Sequence, residues 1–360
     1  MIEPKPLQQV DRTYVRYQGR KFSYFAGCDY FRMASHPTVL KAVGEGLKKF
    51  GLNVAASRLT TGNHAIYAEL EATLKDFFKA PAAAVVSNGY ATNLVAAQAM
   101  QGDFTHVFLD EGAHVSLKDA SRYFDCPVFK FKHADAADLA RVAAKKKGRP
   151  ILLTDGVLSH YGKIAPVRDY LKILPANAWV LLDDAHGAGV LGKTGKGTAE
   201  YHGLSRERIV QTLTMSKAFG VYGGAILCPP ALREKIIQRS GMFAGSTPLP
   251  LPLAYAAKTS IGIVKAHPEI RARLNENVAL VKSSLSHRYS VPTTPAPIIA
   301  YTPANAEEVT HLKQALLAGK IFPSFIQYPG GPKNGYFRFV ISSEHSKKQL
   351  AALIKALNSF

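Results

Sequence analysis

Side chains that could do acid-base and carbonyl chemistry follow two apolar runs in the middle of the chain. Asp183 and His186 come after the first run, and Lys217 comes after the second. A pyridine cofactor that withdraws electrons needs a carboxylate to keep its ring nitrogen protonated and a lysine amine to hold its aldehyde. The order Asp, His, Lys therefore predicts a pyridoxal phosphate site, with Thr214 as a further polar group near the lysine.

The same stretch contains two glycine patterns of phosphate-binding loops. A G-x-G-x-x-G match begins at Gly187, and residues 187–194 (GAGVLGKT) match the P-loop pattern. Both loops run from a strand straight into the glycines and then open a helix. Here residues 183–186 intervene, and the glycines after Thr194 make a poor helix start. We therefore expect that this pattern does not form a working P-loop. Because the pattern matches in full, a P-loop nucleotide-binding protein is kept as the alternative function.

Five motifs occur in an order that resembles one enzyme family. They are SNGYATN (87–93), DEGAHVS (110–116), TDGVLSHYGKIAP (154–166), DDAHGAGVLG (183–192) and TLTMSKAFG (212–220). Together they resemble the α-oxoamine synthases, over nearly the whole chain from about residue 25. The resemblance implies an α/β, fold-type I pyridoxal phosphate-dependent transferase, with a mostly parallel sheet sandwiched by helices and a smaller C-terminal α/β domain. It also implies a decarboxylative condensation of an α-amino acid with an acyl thioester.

The resemblance assigns four catalytic residues. Lys217 holds the cofactor and moves the α-proton of the substrate, and Asp183 faces the ring nitrogen. His186 lies near the phenolic oxygen of the cofactor, and His114 stacks on its ring. Ser159 maps to a position close to the same oxygen.

Phosphate binding needs backbone amides and hydroxyls. Asn88, Gly89 and Tyr90 follow an apolar run and open a helical pattern, so their amides favour a dianion. Thr214 and Ser216 could add hydroxyls, and the resemblance implies that Thr247 of the second subunit of a homodimer reaches the phosphate. The predicted cofactor-binding set is Asn88, Gly89, Tyr90, His114, Ser159, Asp183, His186, Thr214, Ser216, Lys217 and Thr247.

Substrate recognition departs from the family pattern. Arg338 aligns with the arginine that binds the carboxylate of the amino acid, a task that suits its bidentate guanidinium. Cys28 stands where the family usually has an asparagine that helps to hold that carboxylate. His160 and Tyr161 also replace common family residues. The sequence does not separate glycine, alanine and serine as the amino acid, nor coenzyme A from a carrier protein as the thioester. An aminotransferase or a serine palmitoyltransferase-like enzyme of the same fold also stays open.

Composition fits one enzyme that works in the cytoplasm. The chain has 360 residues, 47% of them apolar, and contains neither a membrane-span pattern nor the apolar core of a signal peptide. Its three cysteines lack metal-ligand spacing, so we expect no metal site. The net charge of +19 attracts polyanions in general, which leaves a non-catalytic, polyanion-binding relative as a further alternative. No nucleic-acid-binding motif accompanies it.

Apolar runs at intervals long enough for crossover helices predict a mostly parallel sheet with ligands at its strand ends. The predicted strands are 84–86, 107–109, 128–131, 151–153, 179–182, 209–213 and 225–227. A helix over 36–50 has Leu40, Val43, Leu47 and Phe50 as its apolar face. We expect three parts, namely an N-terminal arm and first helix (1–45), a large cofactor-binding domain (46–255) and a small C-terminal domain (256–360).

Overall fold

The computed structural model describes residues 6–285, 292–327, 332 and 334–359. Its strands are β1 (Gln8–Asp11), β2 (Tyr14–Tyr17), β3 (Arg20–Ser23), β4 (Ala82–Val86), β5 (His106–Asp110), β6 (Val128–Phe131), β7 (Pro150–Asp155), β8 (Trp179–Asp183), β9 (Ile209–Thr214), β10 (Gly224–Cys228), β11 (Ile298–Tyr301), β12 (Phe325–Ile326) and β13 (Tyr336–Val340). Its α-helices are α1 (Pro37–Phe50), α2 (Ala65–Phe78), α3 (Gly89–Ala99), α4 (Val115–Ala120), α5 (Ala136–Ala143), α6 (Val167–Ile173), α7 (Thr198–Tyr201), α8 (Pro230–Arg239), α9 (Gly241–Gly245), α10 (Leu251–Ala266), α11 (Pro268–Ser283), α12 (Ala306–Ala318) and α13 (Lys347–Asn358).

A seven-stranded sheet lies at the centre, in the order β4-β10-β9-β8-β7-β5-β6. Strand β10 is antiparallel to both β4 and β9, and every other pair is parallel. Each of the seven strands predicted from the sequence lies within one of these strands. The prediction of a mostly parallel sheet is therefore confirmed.

Helices cover both faces of this sheet. Along β4, Val85 packs into one apolar cluster with α2 and α10, while Ala84 and Val86 pack into another with α3. All residues of β4, β5, β7, β9 and β10 are buried. Strands buried on both faces read as continuous apolar runs, which is why they were recognisable. Polar groups can reach solvent only at the strand ends.

The N-terminal segment differs from the expected arm. Residues 8–23 form an antiparallel sheet of three four-residue strands, in the order β1-β2-β3. The backbone continues this sheet toward the C-terminal part of the chain, because the N–H of Ser23 donates to the carbonyl of Lys320 at 2.8 Å and the N–H of Phe322 donates to that of Ser23 at 3.0 Å. All of β1 is exposed, so its sequence lacks the apolar alternation that marks a strand.

Helix α1 has the predicted extent, and its inner face is confirmed at Val43 and Phe50, which pack against the core, but not at the two leucines. Leu40 and Leu47 are 53% and 49% exposed, whereas Val39, Ala42 and Gly46 are buried. A Cβ on Gly46 would lie 2.9 Å from Cα of Pro252 in α10. The two helices pack too closely for large side chains, so small residues form the buried face and the leucines point outward.

The C-terminal part contains a second antiparallel sheet, β11-β13-β12, with helices α12 and α13. The alternation of residues over 336–341 also predicts a strand, and the apolar stripe of Leu350, Leu353, Ile354 and Leu357 predicts a final helix. Strand β13 and helix α13 confirm both predictions. The division of the chain at residues 45 and 255 stays a prediction. In the described part of the chain, no helix is long and apolar enough to cross a membrane.

Candidate active site

One edge of the central sheet carries most of the predicted site residues. Asn88 follows β4, His114 follows β5, Asp183 ends β8 and Thr214 ends β9, with Lys217 three residues further on. Strands β4, β5, β8 and β9 run in the same direction, so their carboxyl ends meet at this edge. The structure therefore brings these side chains together around one cleft, as is usual for ligand sites of α/β sheets.

Asp183 is 7% exposed and is held by two donors. Its Oδ2 accepts from Nδ2 of Asn93 at 2.7 Å, and its Oδ1 accepts from the N–H of Ala185 at 3.0 Å. Asn93 also donates to Oγ of Ser116 at 2.9 Å and accepts from Oγ1 of Thr212 at 2.6 Å. Both contacts of the carboxylate suit its ionised form. Sequence reasoning missed Asn93 and Ser116, although each closes one of the recognised motifs.

His114 caps the N-terminus of α4 and projects into the cleft. Its Nδ1 lies 2.7 Å from Oγ of Ser116, and its own N–H donates to Oδ2 of Asp155 at 2.8 Å. One side of the ring is exposed, yet the surrounding protein lowers its pKa through burial. Asp155 is a further residue that sequence reasoning missed. Burial and the nearby charge of Asp183 raise its pKa well above the ordinary value.

His186 is buried against Tyr30. The hydroxyl of Tyr30 lies 2.6 Å from Nδ1 of His186. Burial lowers the pKa of His186 well below its usual value, and Lys217 adds to this; burial raises that of Tyr30. Both rings are therefore neutral, and one hydrogen bond joins the tyrosine hydroxyl to Nδ1 of the imidazole. This bond fixes the ring of His186 and leaves Nε2 for a further partner.

Lys217 lies in the turn that joins β9 to β10. The N–H of Met215 donates to the carbonyl of Gly223 at 2.9 Å, and the N–H of Val221 donates to that of Met215 at 2.9 Å. The amine is partly exposed, and its pKa is lowered by burial, with Cys28 and Asp183 acting in the opposite direction. A lowered pKa increases the fraction of neutral amine, which is the form that reacts with an aldehyde.

The N-terminus of α3 packs so closely against β9 and β10 that two positions have no room for a side chain. Asn88 caps the helix by accepting from the N–H of Ala91 at 2.9 Å. A Cβ on Gly89 would lie 2.6 Å from Cβ of Thr214, and a Cβ on Gly224 would lie 2.5 Å from the carbonyl oxygen of Asn88. Only glycine fits at these two positions, so no side chain stands in front of the first turn of the helix at Gly89. Such a helix N-terminus suits an anion.

Four other predicted cofactor ligands lie outside this group of buried side chains. Ser216 is exposed in the Lys217 turn, and its N–H donates to Oγ1 of Thr214 at 3.1 Å. Ser159 is partly exposed in the loop after β7. Tyr90 is exposed, with its ring 6.0 Å from that of His114, and its hydroxyl donates to Asp119. Thr247 is exposed beside Ser87 at a small cavity.

Arg338 and Cys28 contact each other on the substrate side. Nη2 of Arg338 lies 3.1 Å from Sγ of Cys28, and Nε of Arg338 is buried without a hydrogen-bond partner among the described residues. On β13 the flanking Phe337 and Phe339 are fully buried, so Arg338 faces the other way, as the alternating pattern predicts. Cys28 also influences the pKa of Tyr30. The thiol therefore belongs to the same group of side chains as the candidate catalytic residues.

The P-loop pattern does not form a nucleotide-binding loop. The N–H groups of Thr194 and Lys196 both donate to Oε2 of Glu200 at 3.0 Å. The next helix, α7, begins only at Thr198 and has four residues. Asp184 holds this segment through Thr198, whose N–H donates to its Oδ2 at 2.8 Å. A carboxylate of the chain itself occupies amides that a P-loop would offer to a phosphate.

The residues at this edge fit pyridoxal phosphate. A held carboxylate, a lysine amine and a neutral imidazole lie around one cleft, and a helix N-terminus with no room for a side chain at Gly89 lies beside them. These groups match the ring nitrogen, the aldehyde, the phenolic oxygen and the phosphate of the cofactor.

The comparisons with known proteins agree with this fit. Residues 28–357 match the family model described as aminotransferase class I and II, and the chain belongs to this family. It has the fold-type I architecture and uses pyridoxal phosphate.

Within the family, the chain is similar to α-oxoamine synthases. It is 33% identical to an 8-amino-7-oxononanoate synthase of Thioalkalivibrio sulfidiphilus, over 98% of this chain and 90% of that protein. It is 31% identical to the enzyme of that name from Trichlorobacter lovleyi, over 98% and 93%. A serine palmitoyltransferase of Sphingomonas wittichii superposes with a TM-score of 0.91 at 25% identity, over 98% of this chain and 90% of that one. The chain is thus a pyridoxal phosphate-dependent acyltransferase.

Proposed function

We propose that this protein condenses an α-amino acid with an acyl thioester, carried by coenzyme A or acyl carrier protein, and releases carbon dioxide to give an α-oxoamine. The nearest named activity is 8-amino-7-oxononanoate synthase, which would place the protein in biotin biosynthesis in the cytoplasm. The observation that carries the proposal is the assembly of Lys217, Asp183, His114 and His186 around one cleft, in a chain similar over its full length to enzymes of that name.

Each catalytic role follows from the surroundings of the side chain. When bound, pyridoxal phosphate supplies an electron sink for the Cα atom of the amino acid. Lys217 holds the aldehyde and then moves the proton at that Cα through Nζ, a task that its lowered pKa favours. Asp183, fixed by Asn93, presents a negative charge to the ring nitrogen. His186 is assigned to the phenolic oxygen through Nε2, and His114 covers the ring face.

Substrate binding is assigned to the group around Arg338. The guanidinium holds the carboxylate of the amino acid, and Cys28 lies against it at 3.1 Å. A thiol is a weak hydrogen-bond donor, so it adds little to the binding of a carboxylate. Arg338 therefore carries most of this recognition, in contrast to a site with an asparagine at position 28.

Two subunits are expected to share each site. Thr247 is exposed in the single chain, where a second subunit can approach it. We assign it to the phosphate of the partner site in a homodimer, together with the N-terminus of α3 at Asn88 and Gly89.

Lys217→Ala tests the proposed function. We expect the variant to fold, to lose the visible absorbance of the lysine-bound cofactor and to lose turnover, because only this amine is placed to reach the aldehyde. Turnover is measured as thiol released from an acyl thioester and as carbon dioxide released from the amino acid. A variant that keeps the absorbance and the turnover would contradict the assignment. Transfer of the amino group to a keto acid by the native protein, without thiol release, would instead make it an aminotransferase.

A further inference from the structure

Asn93 is hydrogen-bonded to three parts of the candidate site, namely the ends of β8 and α4 and the strand β9. It is fully buried on α3, the helix that opens at Asn88. Its Nδ2 donates to Asp183 at 2.7 Å and to Ser116 at 2.9 Å, and its Oδ1 accepts from Thr212 at 2.6 Å. A primary amide has two N–H donors and one carbonyl oxygen. Both donors are therefore in use, and the amide oxygen has a partner as well.

The direction of these bonds links two parts of the site. Oγ of Ser116 accepts from Asn93, so its own proton is free to donate to Nδ1 of His114 at 2.7 Å. A reversed amide would place its oxygen against the carboxylate of Asp183, which is unfavourable because both are acceptors. The carboxylate, which can only accept, therefore holds the amide in the observed orientation, and the hydroxyl of Thr212 donates to the amide oxygen. One amide thus orients the carboxylate at the ring nitrogen and, through Ser116, the imidazole at the ring face.

We propose that Asn93 is a positioning residue that couples Asp183 to His114, so that the two residues bind the cofactor cooperatively. The inference rests on the roles proposed above for those two side chains. Substitutions of buried groups that share one hydrogen-bonded network have non-additive effects, because the loss of one bond leaves the other groups without a fixed partner. A purely structural role for Asn93, in packing α3 against the sheet, predicts no such coupling.

Single substitutions measure the direct effect. Asn93→Ala removes both donors, and hydrogen bonds to charged groups are strong enough that we expect the Kd of pyridoxal 5'-phosphate to rise about tenfold to a hundredfold. Asn93→Asp keeps the shape but replaces the donor by an acceptor beside Asp183, and should be at least as harmful. Gln98→Ala is the matched control, because this amide on the same helix accepts from Ser240 and Met242, away from the cleft. It should leave the Kd within about twofold.

A double-mutant cycle tests the coupling itself. The Kd of pyridoxal 5'-phosphate is measured for Asp183→Asn, His114→Phe and the double variant, first with Asn93 present and then in the Asn93→Ala background. With Asn93 present, we expect the double variant to differ from the product of the single effects by about threefold or more. In the Asn93→Ala background the two effects should multiply independently.

The outcomes separate this inference from the proposed function, because no substrate is added. Equal non-additivity in both backgrounds, or equal losses in Asn93→Ala and Gln98→Ala, would overturn the coupling. If Asn93→Ala does not fold, Thr212→Val takes its place in the cycle, since it keeps the shape of the side chain but leaves the amide oxygen of Asn93 without its hydrogen bond and so loosens the amide. Reduced coupling in that background supports the inference, and unchanged coupling overturns it. Neither result depends on which reaction the protein catalyses.

Discussion

Removal of the Arg338 guanidinium should weaken the binding of the amino acid and leave the binding of the thioester unchanged. In the described part of the chain, the hydrogen-bond partner of Nη2 of Arg338 is the thiol of Cys28 at 3.1 Å, and no carboxylate pairs with the guanidinium, so its charge is available to a substrate carboxylate. Truncating one partner of a buried, hydrogen-bonded charge pair costs about 2–5 kcal/mol. Because the side chain is partly exposed, we expect Arg338→Ala to reduce the binding free energy of the amino acid by about 2–3 kcal/mol, the lower part of this range. At about 1.4 kcal/mol per factor of ten, the KM for the amino acid rises about 30- to 150-fold.

The kcat should change little, because the carboxylate contact is the same in the ground state and the transition state. Arg338→Lys keeps the charge but lacks the planar fork, so an intermediate rise of about tenfold is expected. The assay varies the amino acid at saturating thioester, and then the thioester at saturating amino acid, with cofactor content checked for each variant. Arg122→Ala is the control, since that arginine side chain is 80% exposed and pairs only with Asp119 of the neighbouring turn. An unchanged KM for the amino acid, or equal rises for both substrates, would refute the assignment.

Two further predictions concern charge. Lys193→Ala should change activity by less than about twofold, because the pattern around it does not form a P-loop. If the native protein binds ATP and the variant does not, the nucleotide-binding alternative is restored. The charge of +19 should steer anionic thioesters, so that their kcat/KM falls about tenfold between 20 and 500 mM salt, where the screening length falls from about 20 to about 4 Å. The kcat and the amino-acid parameters should respond less, and a flat kcat/KM would remove any role of the charge in donor capture.

The central sheet could be predicted because its strands are buried on both faces and read as apolar runs. The polar residues that end these runs then had to meet at one edge, which is why Asp183 and Lys217 could be placed from the sequence. The exposed strand β1 gave no such signal. Two of the four residues predicted for the inner face of α1 were wrong, because the spacing of Leu40 and Leu47 is helical but says nothing of how closely a neighbouring helix approaches.

The residues that support the site were harder to find than those that do the chemistry. Asn93, Asp155 and Tyr30 act through hydrogen bonds to Asp183, His114 and His186, and these partners lie far away in the sequence. Ser116 is two residues from His114, but its bond to Asn93 also joins distant parts of the chain. Asn93 and Asp183, for example, are 90 residues apart. A polar side chain inside an otherwise apolar helix face, such as Asn93, is the one local sign of such a role, because a buried amide needs partners.

The antiparallel strand β10 has a consequence for the order of events when the cofactor binds. Because β10 returns directly beside β9, the segment with Lys217 is a short hairpin connection, closed by backbone bonds at Met215 and Val221. Closing so short a loop costs little chain entropy, and those bonds need no cofactor. The amides of Met215 and Val221 should therefore be protected from hydrogen exchange in the cofactor-free protein. The aldehyde then meets a lysine whose backbone is already in position, and no binding free energy is lost to ordering this turn.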